Sequence, residues 1–240
     1  MEKEPLNLVI ITGASRGIGY QIAQLFQENN WQVINISRQA CTLPAVKNFS
    51  IDFSQKDWAE HYGTLLKETI SAYAATRICL VHNAALYEND RCDDLNADHL
   101  RRVFEVNLIA PCLLNKIFIP LLPPSSSILY IGSTLSEKAV AGCASYVMSK
   151  HALAGLMKST TQDLAGRAIH SACICPGFTD TEMLRDHLQH DLNLLETLAQ
   201  KNAAGRMITP AEIAQLTLFC AENPVINGSV LHAHLGQLET

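Results

Sequence analysis

A tyrosine and a lysine four residues apart are the first candidates for chemistry in this sequence. They enclose the run Tyr146-Val147-Met148-Ser149-Lys150, and this spacing places the two side chains on one face of a helix. A phenol whose pKa is near 10 exchanges protons poorly at neutral pH, but a neighbouring ammonium favours the phenolate and lowers that pKa. The pair therefore predicts a general acid or base.

A glycine-rich turn supplies a second chemical signal near the start of the chain. The segment Thr12–Gly19 reads Thr-Gly-Ala-Ser-Arg-Gly-Ile-Gly, follows an apolar run and leads into an amphipathic stretch. Glycines let the backbone turn tightly, and a helix start offers free N–H groups to a pyrophosphate. The spacing GxxxGxG departs from the GxGxxG dinucleotide fingerprint. We predict phosphate binding here, with a merely structural turn as the alternative.

The end of the second apolar run favours one dinucleotide over the other. A carboxylate about 20 residues after the glycine turn usually holds a ribose 2′-hydroxyl, but here the run Asn35-Ile36-Ser37-Arg38 contains none. Arg38 can instead neutralise a 2′-phosphate, and Arg16 inside the turn could reach the same group. Two cations without an acid predict NADP(H), unless both arginines are only solvated surface groups.

The elements that must position these residues alternate along the chain. Short runs rich in Val and Ile predict strands, and the longer amphipathic stretches between them predict helices. The predicted strands are Asn7–Ile11, Gln32–Ile36, Asn48–Ile51, Arg77–Val81, Ser127–Ile131, His170–Ile174 and Ser229–His232. The predicted helices are Gly17–Glu28, Trp58–Ala74, Ala97–Leu121, Ala144–Ala165 and Pro210–Ala221. This order indicates an α/β fold of the Rossmann type, a doubly wound parallel β-sheet with helices on both faces.

Length and composition limit the classes of protein. The 240 residues are 48% hydrophobic and 17% charged, which suits one compact domain over residues 1–240 with a large core. A net charge of −5 gives no basic field for nucleic acid. No apolar run of the length of a membrane span and no secretory signal is evident. Eight dispersed cysteines do not resemble a disulfide framework or a zinc site. We therefore expect a cytoplasmic protein without nucleic-acid or membrane partners.

One segment fits the strand–helix alternation poorly. About 35 residues separate the sixth predicted strand from the helix at Pro210, and a long excursion after a strand of an α/β fold is often an active-site lid. We expect a substrate lid over about residues 181–205. The alternative is a pair of surface helices with only a packing role. The apolar side chains that would line it are Met183, Leu184, Leu188, Leu192, Leu194, Leu195 and Leu198.

Taken together in chain order, these motifs resemble the short-chain dehydrogenase/reductase family over nearly the whole chain. The matching pieces are Thr12–Gly19, Asp52, His82-Asn83-Ala84-Ala85, Asn107, Ser133, Tyr146 with Lys150, and Pro176-Gly177 followed by Thr179 and Thr181. The resemblance implies that Tyr146 exchanges a proton with the substrate oxygen while Ser133 hydrogen-bonds that oxygen. It also implies that Lys150 binds the nicotinamide ribose and that Asn107 holds a water that relays protons to Lys150.

The resemblance and the glycine turn together imply a cofactor site. Asp52 would meet the adenine, Asn83 would shape the site and Thr181 would bond the nicotinamide carboxamide. The full cofactor-binding set is Gly13, Ser15, Arg16, Gly17, Ile18, Gly19, Arg38, Asp52, Asn83, Ala84, Tyr146, Lys150, Pro176, Gly177, Thr179 and Thr181. The strand-end positions of Gly13, Asn83, Ser133 and Pro176 place the site at the carboxyl edge, where open α/β sheets bind ligands.

The sequence departs from the family pattern in two places. Ala85 stands where the family commonly has glycine, which adds a methyl group near the cofactor. At the C-terminal strand, His232 and His234 lie in a turn that commonly contains an acid and a second glycine. Surface or interface packing of these two histidines is favoured over a metal role, and His187 and His190 in the lid have no apparent third ligand, so we predict no metal site. The pair Cys173 and Cys175 similarly suits small buried hydrophobes better than a redox or metal role.

The predicted function is an NADPH-dependent oxidoreductase that interconverts a carbonyl and an alcohol. The substrate is expected to be a small molecule, and the stretch Gly205–Ala214, similar to that of 3-oxoacyl reductases of the family, leaves an acyl thioester open. A non-catalytic dinucleotide sensor or scaffold is the alternative from another class, and an epimerase or dehydratase on the same fold is a third. Apolar and small helix faces, together with the resemblance, predict a homodimer or homotetramer.

Overall fold

Seven parallel strands form one sheet in the computed structural model, which describes residues 6–238. The strands are β1 (Asn7–Thr12), β2 (Trp31–Ser37), β3 (Lys47–Ser50), β4 (Arg77–His82), β5 (Ser127–Ile131), β6 (His170–Pro176) and β7 (Val230–Ala233). Their spatial order is β3-β2-β1-β4-β5-β6-β7. All seven predicted strands are present, within about two residues at each end. The predicted fold class is confirmed.

Helices cover both faces of this sheet. They are α1 (Gly17–Glu28), α2 (Trp58–Ala72), α3 (Ala97–Phe104), α4 (Ala110–Phe118), α5 (Ala144–Asp163), α6 (Glu182–His187), α7 (Leu192–Gln200) and α8 (Pro210–Glu222). Alternate residues of β1 show the two layers, because Ile10 packs with α2, α4 and α5 whereas Ile11 packs with α1 and α8. The buried apolar residues thus form two hydrophobic clusters, one on each face of the sheet, and these account for much of the apolar composition. Strands buried on both faces explain why their sequences are apolar at successive residues.

The predicted long helix Ala97–Leu121 is interrupted. A π-helical turn, Glu105–Ile109, separates α3 from α4, and a 3₁₀ turn ends the stretch. By length and composition this stretch could cross a membrane, with a mean hydropathy of 1.4 over its most apolar window. However, Ala110, Leu114 and Phe118 of α4 lie in the hydrophobic core against the sheet. The stretch is therefore a core helix in this fold.

Polar side chains form a buried chain of hydrogen bonds between the sheet and the helices. His82 Nε2 lies 2.8 Å from Asn115 Oδ1, and Asn115 Nδ2 donates to the Tyr130 hydroxyl at 2.7 Å. The Tyr130 and Thr160 hydroxyls are 2.9 Å apart. The chain links β4, α4, β5 and α5 in turn. It gives a structural role to His82, the first residue of the His82-Asn83-Ala84-Ala85 motif.

The strand order brings the chemical motifs to one edge. Strands β1 to β3 are added toward one side of the sheet and β4 to β7 toward the other, so the strand order reverses between β1 and β4. Open α/β sheets bind ligands at such a switch point. Gly13, Asn83 and Gly177 directly follow β1, β4 and β6, while Ser133 comes two residues after β5. Parallel strands end on the same edge, so these residues lie together at the carboxyl ends of the strands.

Candidate active site

Three predicted catalytic side chains meet where β5 ends and α5 begins. Tyr146 lies in the first turn of α5, and its phenol is near enough to the Ser133 side chain for Ser133 to lower its pKa. Lys150, one turn later, places its Nζ 5.5 Å from the centre of the Tyr146 ring. The same Nζ donates to the carbonyl oxygen of Ile131 at 2.7 Å. The predicted helical spacing thus brings Tyr146 and Lys150 together, with Ser133 on the phenol.

Burial governs the protonation of both groups. Lys150 is 2% exposed, and the loss of solvation lowers its pKa from 10.5 to about 8. The same effect raises the pKa of Tyr146 above its usual value of 10, although the nearby Ser133 side chain acts in the opposite direction. The sequence predicts that Lys150 lowers the pKa of Tyr146, but in this structure the net change is a rise, and Ser133 is the group that opposes it. Tyr146 is therefore a neutral phenol, able to donate a proton, at neutral pH.

Asn107 occupies the π-helical turn between α3 and α4 and is 1% exposed. Its Oδ1 accepts from the backbone N–H of Leu86 at 2.7 Å. Its Nδ2 donates to the Leu86 carbonyl at 2.9 Å and to the Ser149 hydroxyl at 2.9 Å. Asn107 thus joins the loop after β4 to helix α5, beside Lys150. π turns often occur at functional sites, and this one orients the amide toward both partners.

Ser133 is fixed by a short helical turn of its own. Its hydroxyl accepts from the backbone N–H of Leu135 at 3.1 Å, and its own N–H donates to the Ser136 hydroxyl at 3.2 Å. This capping box restrains the backbone on which the Ser133 hydroxyl stands. Ser133 is therefore a turn residue, and it also contacts Tyr146.

The glycine turn requires glycine at two positions. Gly13 has a φ of +73° and donates to the Ile36 carbonyl at 3.1 Å. A Cβ on Gly19 would lie 2.2 Å from the Gly13 carbonyl oxygen, so no side chain fits there. Helix α1 then begins without a side-chain cap and without an acidic residue in its first turn. Its first N–H groups are available to an anion.

Three polar residues brace this turn. The predicted Asn83 donates from Nδ2 to the carbonyls of Thr12 and Gly13, both at 3.0 Å. Thr12 and Asn35 were not predicted as site residues. The Thr12 hydroxyl accepts from the backbone N–H groups of Asn83 and Ala84 at 2.9 and 3.0 Å. Asn35, fully buried in β2, accepts from the N–H of Ala14 at 2.9 Å.

The two arginines expected to share a phosphate line different clefts. Arg38 and Asp52 line a cleft of about 460 Å³ at the ends of β2 and β3. Asp52 Oδ1 accepts from the Ser54 N–H at 2.9 Å and from its hydroxyl at 2.8 Å. Arg16 lines a second cleft of about 610 Å³ with Ser15 and Thr181. The structure therefore brings Arg38 and Asp52 together but does not place Arg16 with them.

Arg16 is instead paired with the segment 181–205. Its Nη1 lies 3.5 Å from Asp186 Oδ2, with both side chains 53% exposed. Asp186 Oδ1 also lies 3.2 Å from His190 Nε2. An exposed ion pair at this distance is weak. A more highly charged anion, such as a phosphate, could therefore replace Asp186 as the partner of Arg16. The remaining predicted member of the glycine turn, Ile18, packs against the core under α1.

The loop after β6 closes the site from the opposite side. The N–H of Gly177 donates to Ala233 at 2.9 Å, and a Cβ on Gly177 would lie 2.8 Å from His234 Cβ. The Thr179 hydroxyl donates to the Gly177 carbonyl at 3.1 Å. Thr181 caps α6 through the N–H of Leu184, and its methyl group faces Gly17. The loop that begins at Pro176 therefore approaches the glycine turn.

Tyr87 is a further aromatic residue at the site that the sequence did not point to. Its ring centre lies 5.0 Å from that of Tyr146 and 4.5 Å from that of His187, which ends α6. No spacing motif includes Tyr87, and its position depends on how Asn107 holds the preceding residue. The row formed by these three rings connects the segment 181–205 to Tyr146.

The histidine pair His232 and His234 and the cysteine pair Cys173 and Cys175 gain no further metal-binding side chain in the part of the chain that the structure describes. Within residues 6–238 no group of three or more His, Cys, Asp or Glu side chains could hold a metal ion. His232 Nε2 lies 3.0 Å from Glu137, and the sulfur atoms of Cys173 and Cys175 are 3.7 Å apart. Both cysteines are fully buried.

Comparisons with known proteins agree with this architecture. A family model described as Enoyl-(Acyl carrier protein) reductase matches residues 13–237. The 3-oxoacyl-(acyl-carrier-protein) reductase of Vibrio cholerae is 29% identical over 95% of this chain and 96% of its own length. Carbonyl reductase family member 4 of Xenopus laevis is 27% identical over 92% and 93%. The structure of a short-chain dehydrogenase/reductase from Serratia marcescens superposes with a TM-score of 0.84 at 25% identity, covering 97% of this chain and 98% of that one. The chain therefore belongs to the short-chain dehydrogenase/reductase family.

Proposed function

We propose that this protein is an NADPH-dependent oxidoreductase that interconverts a carbonyl and an alcohol. The observation that carries this proposal is the meeting of the Tyr146 phenol, the Ser133 hydroxyl and the buried Lys150 at the sheet edge that also holds the glycine turn. Relatives named as 3-oxoacyl and carbonyl reductases support the same reaction class. A proton donor beside a dinucleotide site is the minimum that this reaction needs.

The residues present fit a dinucleotide. The uncapped start of α1 suits its pyrophosphate, and the cleft with Arg38 and Asp52 suits its adenosine half. Pro176, Gly177, Thr179 and Thr181 would border the nicotinamide half, together with Tyr146 and Lys150. When bound, the nicotinamide supplies or accepts the hydride.

The chain itself supplies the proton and the charge stabilisation. The neutral Tyr146 phenol holds the proton that a carbonyl oxygen gains on reduction. The Ser133 hydroxyl is a second donor at the position where negative charge develops. Lys150 is an ammonium below a pH of about 8 and lies beside the Tyr146 ring. Its positive charge therefore stabilises the negative charge left on the phenolate. Asn107 would hold the water that returns a proton to Lys150.

We infer NADP(H) rather than NAD(H) from Arg38. Chains with this fold hold NADP in one case and NADH in another, so the choice depends on local residues. Arg38 stands at the end of β2, in a cleft with Asp52, and no carboxylate ends that strand. Arg38→Gln should lower the preference of kcat/KM for NADPH over NADH by about 10- to 100-fold, because a charge-assisted hydrogen bond is lost. An unchanged preference would remove Arg38 from this role.

Tyr146→Phe tests the reaction. The variant should lower kcat about 10²- to 10⁴-fold while NADPH still binds, because only the proton donor is removed. Tyr73→Phe, at the end of α2, is the matched control and should retain activity. Equal activity of Tyr146→Phe would contradict the proposed chemistry. NADPH binding without turnover by the wild-type protein on a panel of carbonyl compounds would favour the sensor, and turnover without net NADPH loss would favour an epimerase or dehydratase.

The assembly and compartment are part of the same proposal. Ile109, the last residue of the π turn, and Met148, on α5, are 39% and 40% exposed. Apolar exposure on neighbouring helices suits pairing between copies of the chain, as a homodimer or homotetramer. Eight free cysteines suit a reducing compartment such as the cytoplasm. Light scattering that showed a monomer at micromolar concentration would contradict the assembly.

A further inference from the structure

The loop that carries Tyr87 is held rigidly at both ends. The Asn107 side chain binds both backbone groups of Leu86, at 2.7 and 2.9 Å. Three residues beyond Tyr87, the N–H of Asp90 donates to Gly142 at 3.1 Å, and its Oδ1 accepts from the N–H of Ser145 at 3.0 Å. The second pair of bonds joins the loop to the start of α5. Tyr87 therefore has a fixed position relative to Tyr146.

The orientation of Tyr87 presents its ring rather than its hydroxyl to the site. Burial raises the pKa of Tyr87 above its usual value of 10, and the neighbouring Cys143, directly before α5, adds to this rise. The Tyr87 hydroxyl therefore stays protonated and lies near Cys143, while the ring contacts that of Tyr146 at a centre distance of 5.0 Å. Tyr87 thus supplies an aromatic surface beside the proton donor.

His187 contacts this surface from the segment 181–205. Its ring meets Tyr87 at a centre distance of 4.5 Å and an interplanar angle of 63°, which is an edge-to-face contact. His187 is exposed and ends α6, a helix with no buried residue. The segment is fastened at its start by Arg185 on Asp180, at 2.6 and 2.7 Å. An incoming group can therefore either displace the His187 ring from Tyr87 or pack against both rings.

We propose that Tyr87 and His187 form an aromatic clamp that selects carbonyl substrates carrying a flat aromatic group next to the carbonyl. This inference rests on the proposed function. The carbonyl oxygen must reach the Tyr146 phenol, so the groups attached to the carbonyl carbon lie close to the neighbouring ring of Tyr87. A flat aromatic group there can stack on Tyr87 or meet His187 edge to face, and each such contact favours it by about two- to tenfold. A saturated ring of similar size gains only buried area.

A matched pair of ketones tests the clamp. Methyl phenyl ketone and methyl cyclohexyl ketone differ in the flatness and π-electrons of the ring, and also in reactivity, because only the phenyl carbonyl is conjugated. The test is therefore how each variant changes the phenyl-to-cyclohexyl ratio of kcat/KM, measured with NADPH. Tyr87→Leu should lower this ratio about tenfold, the combined effect of two aromatic contacts. Tyr87→Phe should retain the ratio, and His187→Leu should lower it about threefold. His99→Leu, an exposed histidine on α3, is the control and should leave the ratio unchanged.

The outcomes separate the clamp from the proposed function. Reduction of both ketones with a ratio that Tyr87→Leu leaves unchanged would overturn the clamp and leave the oxidoreductase proposal standing. If neither ketone is reduced, calorimetric binding of the two corresponding alcohols to the enzyme with NADP⁺ decides. Tighter binding of the phenyl alcohol that is lost in Tyr87→Leu would support the clamp without the reaction. Equal binding of the two alcohols would overturn it.

Discussion

The two sides of the candidate active site are built differently. One side is the catalytic wall, formed by residues 82–90, 105–109, 131–136 and 143–150, and the other is the segment 181–205. In the wall, Asn107, Ser149 and Lys150 are at most 2% exposed, and each makes a hydrogen bond at 2.9 Å or less. In the segment, α6 buries no residue and α7 buries only Leu195, while Leu192 is 72% exposed.

This difference indicates a division of labour. Groups that exchange a proton need fixed positions, and buried hydrogen bonds supply them. A surface that admits substrates of varied shape benefits from low local stability, which few buried contacts provide. The predicted apolar lining fits this division only in part, because Leu192 and Leu194 face solvent and Leu195 alone packs tightly. We propose that the segment acts as the lid while the wall performs the reaction. Four changes test this contrast.

The largest effect is expected from Asn107→Ala in the wall. The change removes three hydrogen bonds and leaves the N–H and carbonyl of Leu86 without their partner. The free energy of unfolding should fall by about 4 kcal/mol, measured by urea denaturation. Asn96→Ala removes a cap at the exposed start of α3 and should cost about 1 kcal/mol. If both variants lost the same stability, Asn107 would not be a special point of the wall.

His82 should make the wall sensitive to acid. Burial lowers the pKa of His82 from 6.5 to about 4 in the folded state. Between these values the unfolded chain binds the extra proton, so stability falls as the pH falls from about 6.5 to 4. The shift corresponds to about 3 kcal/mol. His82→Gln, whose amide can replace the Nε2 donor, should lose that much less stability over this range, as measured by urea unfolding at each pH. His99→Gln is the exposed control, and equal acid sensitivity of wild type and His82→Gln would contradict the assignment.

Leu195→Ala tests whether the segment opens on its own. A buried Leu→Ala change usually costs about 2–5 kcal/mol. If the segment opens independently of the wall, global stability should fall by less than about 2 kcal/mol, while amide hydrogen exchange in residues 182–200 becomes faster. Exchange that stays slow there, together with a full loss of global stability, would show that the segment unfolds with the wall.

The smallest effect is expected from Arg185→Ala. The Arg185–Asp180 pair is bidentate, but its side chains are 39% and 36% exposed. Its loss should leave global stability nearly unchanged, because an exposed ion pair is weak. Because the pair fastens the start of α6, KM for the carbonyl substrate should rise more than kcat falls. A fall in kcat alone would place Arg185 with the wall instead.

The sequence predicted the sheet well because its signals are local. Val- and Ile-rich runs produced all seven strands, and the glycine turn, Tyr146 and Lys150 follow spacings that a strand–turn–helix unit or one helix imposes. The π turn was missed because no sequence signal marks it, and the partner of its Asn107 side chain, Leu86, lies 21 residues away. The bracing bonds of Thr12 and Asn35 and the position of Tyr87 were missed because their partners are also distant in the sequence. Those partners are set by how strands and helices pack and not by any spacing along the chain.

The buried chain from His82 to Thr160 has a direction. The Thr160 hydroxyl donates to the Leu156 carbonyl at 2.9 Å, so Tyr130 must donate to Thr160, Asn115 to Tyr130, and His82 to Asn115. Every hydrogen then points from β4 toward α5, and only the Nε2–H tautomer of His82 completes the series. The Thr160 hydroxyl, on the helix that carries Tyr146, therefore determines the tautomer of His82 at the end of β4.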